Sequence, residues 1–223
     1  LQIGTNAFNS TKNNPGYIGY MYGNTFNSSY AETHANEKDS SIKTQLDNWY
    51  KTNIVDKNLS DYIADSGFCN DRSIYSGSDG VTTTSNTYFG GYGRYVNHNP
   101  ALVCPNASND LFTVSNADGN QALTYPIGLI TVDELMLGGL TDGYLNRLSY
   151  TYSSSHYWTL SPSSFLASAV AACEFFANST GYVHATQLVT ITYGVRPVIN
   201  LAPDTPITGG IGTANDPYVV KIA

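Results

Sequence analysis

The last third of the chain constrains the fold most. The stretches "AVAACEFFA", "GYVHATQLVTITYG" and "GVRPVINLA" are apolar or alternating and rich in β-branched and aromatic residues. That pattern has the period of a strand, not of a helix. "NSTG" at residues 178–181 reads as the hairpin turn between the first two. The terminal "GGIGTANDPYVVKI" returns as one more strand after a glycine-rich turn. A small antiparallel sheet therefore has to be covered by elements from upstream.

Two helices are available to cover it. In "DSSIKTQLDNWYKTNI", Ile42, Leu46 and Trp49 fall on one stripe at helical period, so Trp49 is expected in the core. Asp39 or Ser40 can cap this helix by accepting a bond from a free first-turn N–H. In "TVDELMLGG", Thr131 and Glu134 have capping-box spacing, Gly138-Gly139 supplies the stop, and Val132, Leu135 and Met136 give a buried side. "PGYIGYMYG" alternates aromatic with small residues and reads as a strand. Residues 53–126, including "SIYSGSDGVTTTSNTYFGGYGRY", carry turn signals and read as long loops. The expected class is α+β: one domain over 1–223, with 1–16 as a lead-in, two helices on a twisted antiparallel sheet, and long irregular loops.

Only 12% of the 223 residues are charged, about half the usual share. Solubility falls to Asn, Ser, Thr, Gly and 18 tyrosines, and Tyr suits both strands and binding faces. The ten Lys and Arg are scattered and the net charge is -7, so no basic stripe tracks a phosphate backbone and nucleic acid is not an expected partner. No apolar run reaches the roughly 18–20 residues of a membrane span. Leu1 opens without a signal peptide, as in a mature form or an excised domain.

Cys69 and Cys104 lie in turn-rich contexts, "GFCNDRS" and "ALVCPNAS", and are expected to form a disulfide that holds the long loops. Cys173, amid "AVAACEFFA", reads as a buried thiol. A disulfide, low charge and many hydroxyls favour an extracellular or cell-surface setting. N-x-S/T sites occur at Asn9, Asn27, Asn58, Asn106 and Asn178.

The familiar catalytic patterns are missing. No C-x-x-C, H-x-x-x-H or G-x-S-x-G is present, and "GGYGRY" lacks the Lys-Ser/Thr of a phosphate loop. Glu134 is accounted for by capping and Asp133 by the helix dipole. Asp65, Asp71, Asp110, Asp118 and Asp216 sit in turn-like contexts, where Asp bonds its own backbone. Such loops can hold calcium, but no D-x-[DN]-x-[DN]-G loop occurs, so no metal or cofactor is assigned. Apolar neighbours would keep Cys173 a thiol and not a nucleophile.

The motifs "IKTQLDNWY", "FCNDRS", "YPIGLITVDEL", "YWTLSP", "GVRPVINL" and "GTANDPYVV" follow in that order, within a similarity that covers residues 17–220. This set resembles an uncharacterised family of gut-bacterial and prophage surface domains, itself similar to the formylglycine-generating-enzyme branch of the C-type-lectin fold. The resemblance implies ligand binding on a loop-covered face. Neither the late cysteine pair of the enzymes nor the E-P-N and W-N-D triplets of calcium lectins occurs, so those two activities are not carried over.

Trp158, Leu160 and Pro162 are then expected to build the sheet core and a turn. Tyr150, Tyr152, His156, Tyr157, Tyr182 and His184 are the expected ligand-contacting set. Arg196 is expected to point inward and bond backbone carbonyls or a carboxylate near "YWTLSP", since a buried guanidinium must be paired. The function expected is a non-enzymatic adhesin or prophage binding domain for a saccharide or surface protein. The alternative is the globular head of a pilin-like assembly subunit, a homo-oligomer or filament component.

Overall fold

The computed structural model describes residues 1–26, 29–213 and 215–221. The architecture is α+β. Three helices matter for the core: α1 (Ser41–Asn53), α2 (Gly90–Val96) and α3 (Val132–Leu137). Seven strands form the main sheet: β1 (Thr5–Ala7), β2 (Ile74–Gly77), β3 (Thr87–Phe89), β4 (Tyr157–Leu166), β5 (Ala171–Ala177), β6 (Val183–Leu188) and β7 (Thr192–Gly194). The order is β1-β7-β4-β5-β6, and β3 joins β4 beyond β7 with β2 on its outer side. The sheet is mixed, because β7 runs parallel to β4 where the others are antiparallel. The expected purely antiparallel sheet is corrected on that point. Two-residue strand pairs decorate it, among them Ile63–Ala64 with Asn200–Leu201.

α1 begins at Ser40, whose Oγ accepts from Lys43 N at 3.2 Å. Its buried stripe is Ile42, Leu46 and Tyr50, while Trp49 is half-buried and packs against the core margin. Lys43 is buried on the same helix, with Nζ held by Asp47 at 2.7 Å and Asp39 at 3.2 Å. In α3 the Thr131–Glu134 capping box is complete, and Gly139 follows the helix at φ +87°.

α2 lies where loop was expected. Its glycines are not turn residues but close-approach residues. A Cβ on Gly91 would come within 3.3 Å of Val132 Cγ1, and one on Gly93 would overlap the Tyr75 ring. The bare backbone lets the helix press onto α3 and β2. β2 and β3 form a hairpin in the same region. "PGYIGYMYG" is not a strand: Pro15–Ile18 is a 3-10 turn capped by Asn14, and only Met21–Tyr22 is extended. "GVRPVINLA" is likewise reduced to a bridge between Val198 and Gly128 plus Asn200–Leu201. Pro197 lacks the N–H that a continuous ladder needs. Conversely, β4 runs unbroken through Pro162, with no turn there, but its register against β5 shifts on both sides of the Pro162–Glu174 pair, with the extra residues on β4.

The sheet separates two apolar clusters. Trp158, Leu160, Phe165 and Phe176 pack with Ile42, Leu46 and Tyr50 on the α1 side. Tyr157, Phe175, Ala177 and Val183 pack with Tyr95, Val132 and Leu135 on the α2–α3 side. Each large side chain buried this way contributes about 1.5–3 kcal/mol. The motif "FCNDRS" stitches loops to this core. Cys69 is bonded to Cys104. Asn70 accepts from Tyr20 N and donates to Leu160 O. Arg72, fully buried, pairs with Asp110. Asp110 is thus an ion-pair partner and not a turn residue, whereas Asp71 accepts from the Ser73 N–H two residues on, as expected, and also pairs with Arg94. Of the glycosylation motifs, Asn9 is buried, Asn58 is exposed, Asn106 and Asn178 are half-buried, and Asn27 lies outside the described residues.

Candidate functional site

Alternation along β4 divides the expected ligand set between the two faces of the sheet. Tyr157 projects to the α3 side, and its neighbours His156 and Trp158 project to the other. On that other face the rings of four strands meet. His156 lies 4.9 Å from Tyr193 and 5.4 Å from Phe176, centroid to centroid. Phe176 lies 4.8 Å from Tyr193 and 5.3 Å from His184, and Tyr182 continues the row at 6.3 Å from His184. Trp158 closes its inner end, 5.0 Å from Tyr193, with Nε1 donating to Asn6 O at 2.9 Å. Trp158 and Phe176 are buried, while His156, Tyr182, His184 and Tyr193 are half-exposed. The row is therefore the core cluster surfacing along the sheet. Phe176 and Tyr193 were missed at sequence level. Phe176 could have been found from register, since it stands opposite both Trp158 and His184.

Backbone donors fix both imidazoles. Ser179 N donates to His156 Nδ1 at 3.0 Å, and Thr186 N donates to His184 Nδ1 at 3.3 Å. With Nδ1 an acceptor, the neutral ring carries its proton on Nε2. The hairpin turn at 178–181 is the organiser. Ser179 O accepts from Tyr152 Oη at 3.3 Å, and Asn178 Nδ2 donates to Tyr182 Oη at 3.2 Å. Gly181 O accepts from Asn146 N at 2.8 Å, and Thr180 O accepts from Arg147 Nε at 3.3 Å. These bonds seat the loop 138–152 on the turn. That loop exposes Tyr144, Leu145, Leu148 (97%) and Tyr150 (81%).

On the opposite face, Tyr157 is buried. Burial raises its phenol pKa above the usual value, against the opposing pull of Arg196. Its Oη donates to Thr151 O at 2.6 Å. Arg196 Nη1 donates to the same carbonyl at 2.8 Å, and the guanidinium sits 4.5 Å over the Tyr157 ring. Arg196 is half-buried and bonds a carbonyl just upstream of "YWTLSP", with no carboxylate in that contact. Tyr150, Tyr157 and Arg196 line a small cleft of about 150 Å³.

A larger cleft, about 390 Å³, opens beside the Cys69–Cys104 bond. Arg94 from α2 reaches across its wall, with Nε and Nη2 on Asp133 at 2.7 and 2.9 Å and Nη1 on Asp71 at 2.7 Å. Burial alone would lower the Arg94 pKa, but the bonds to Asp133 and Asp71 outweigh it and raise it. Asp133 also accepts from Ala101 N at 3.0 Å. It therefore serves as an anchor and not merely as a helix-dipole charge. His34 is elsewhere and buried. Its pKa is held down at about 3 by burial and by Arg72, so it stays neutral. Among the described residues, no group of three or more His, Cys, Asp or Glu is placed to hold a metal ion, and no helix is long and apolar enough to cross a membrane. No protein-family model, curated protein or solved structure matches the chain.

Proposed function

We propose that this chain is a non-enzymatic recognition module, on a C-type-lectin-like fold, that binds a saccharide or a surface protein outside the cell. One observation carries the reading: the row Tyr193–His156–Phe176–His184–Tyr182, half-exposed at every member but the buried Phe176, with both imidazoles locked by backbone N–H groups. Rings of this kind stack on apolar sugar faces or fill protein pockets, and Nε2–H donors add direction. Their placement on strands and a tight turn pre-organises them. The disulfide supports an extracellular setting. The test is a glycan array and a surface-protein pull-down with wild type and with His156→Ala/His184→Ala/Tyr193→Ala. Binding lost in the triple variant while it stays folded supports the reading. Binding that survives it, or none in folded wild type, overturns it.

A second reading, the head of a pilin-like or other surface-assembly subunit, is favoured by the exposed apolar side chains of the loop 138–152. Concentration-dependent self-association that Leu148→Asp/Tyr150→Asp abolishes would select it.

A further inference from the structure

We propose that the cleft beside the Cys69–Cys104 disulfide binds a primary ammonium group carried on a short apolar stem. This site is separate from the aromatic row and independent of it. Its volume, about 390 Å³, falls in the range of small-molecule sites.

The charges in its wall select the sign of the ligand. Asp71, Asp133 and Glu134 supply three carboxylates against the single guanidinium of Arg94. Asp71 and Asp133 are both engaged by Arg94, so the cation of the wall is already matched twice over. Glu134 Oε2 accepts from Thr131 N at 2.7 Å and from Thr131 Oγ1 at 2.8 Å. Oε1 has no such bond among the described residues, and Glu134 is half-exposed. An anion would meet uncompensated carboxylate, whereas a cation restores the balance.

The apolar lining selects the rest of the ligand. Phe68 and Leu129 form the inner wall, and Leu102 and Val103 lie at the lip, 73% and 71% exposed. Two adjacent aliphatic side chains so exposed are covered by a stem that continues outward from the ammonium. The lip is held in place from both ends, by the disulfide at Cys104 and by the Ala101 N bond to Asp133. Little ordering is left for binding to impose. A free alkylamine and a lysine side chain share this chemistry.

The probes are n-pentylammonium, Nα-acetyl-lysine N-methylamide, 1-pentanol and pentanoate, followed by thermal shift and calorimetry. Saturable stabilisation by n-pentylammonium but not by pentanol or pentanoate is expected. A matching response to the lysine derivative points to a protein side chain as the natural source, and a response to n-pentylammonium alone points to a free amine. Glu134→Gln keeps an N3 acceptor for the capping box yet removes the charge, and it should weaken binding about tenfold. Leu102→Arg, at an exposed position, should weaken it similarly without disturbing the core. The aromatic triple variant should bind the amine normally, so this site and the recognition face fail or stand separately. No binding of either amine, an equal response to pentanol or pentanoate, or undiminished binding in both Glu134→Gln and Leu102→Arg overturns the proposal.

Discussion

Arg72 and Asp110 form an ion pair in which neither side chain reaches solvent. Arg72 Nε donates to Asp110 Oδ1 at 2.8 Å, and the Arg72 backbone N–H donates to Oδ2 at 3.0 Å. Three further guanidinium N–H groups go to Met21 O, Asn36 Oδ1 and Asn109 O. One side chain thus reinforces the contacts among the segments at Met21, Asn36 and Asn109–Asp110, which also bond one another, with Phe112 beneath it.

Removing one partner leaves the other charged and buried. Asp110→Leu and Arg72→Met should each cost about 3–5 kcal/mol in urea unfolding. The double variant removes both charges together and should cost less than the two singles combined. Strict additivity in the double-mutant cycle would show that the pair is not coupled.

The thiol inventory should be uneven. Cys69 and Cys104 are bonded across 35 residues, and Cys173 is buried with its pKa pushed up to about 11 by burial and by Glu174. Native protein prepared without reductant should take up no alkylating reagent, denatured protein one equivalent, and reduced denatured protein three. Opening the disulfide should cost about 4 kcal/mol in the chain-entropy model. Three reactive thiols without reductant would refute the pairing.

Glu174 sits in the middle of β5 with zero exposure, and neither carboxyl oxygen has a partner among the described residues. Its cross-strand neighbours, Pro162 and Gln187, carry no charge. Burial raises its pKa well above the usual glutamate value. The sign follows from linkage. The unfolded chain ionises this group near the ordinary value of about 4.3, while the folded chain holds it protonated. Folding is therefore penalised increasingly as pH rises above about 4.3. Glu174→Met should raise the melting temperature at pH 8 and change it little at pH 4. Equal effects at the two pH values would mean that the carboxyl is not protonated in the fold.

These interior groups mark the limit of what the sequence makes legible. α1 and α3 were readable because apolar spacing and a cap agree locally, as at Ser40 with Ile42 and Leu46, or at Thr131 with Glu134. The hairpin at 178–181 was readable because turn chemistry lies between two strand-period runs. Asp71 and Asp110 were not. In the chain each sits among turn formers, and only the fold brings Arg94 and Arg72 to them. The expected ligand set was split for a similar reason. Tyr157 and His156 are neighbours in sequence and point to opposite faces, a consequence of strand alternation. Phe176 and Tyr193 join His156 only through the sheet register.

α2 supplies the sharpest test of that lesson. Gly90 opens a helix, where Ala is intrinsically better than Gly by about 1 kcal/mol. On propensity alone Gly90→Ala should stabilise. The tertiary setting reverses the sign. A Cβ at Gly90 would overlap Asp71 Oδ2 and lie 2.6 Å from Ser73 Oγ. That Asp71 carboxylate is held between Arg94 Nη1 at 2.7 Å and the Ser73 N–H and hydroxyl at 3.0 and 2.6 Å, so it cannot yield without loosening all three bonds. Overpacking against a buried, hydrogen-bonded group costs about 1–3 kcal/mol, more than the propensity gain. Gly90→Ala should therefore lower stability to urea by up to roughly 2 kcal/mol, the difference of the two effects. In Gly90→Ala/Asp71→Ala the carboxylate clash is gone and the Ser73 hydroxyl, no longer bonded to Asp71, is free to turn away, so the added alanine should no longer destabilise relative to Asp71→Ala alone. A Gly90→Ala single variant as stable as wild type would show that α2 does not press against Asp71 as closely as this packing requires.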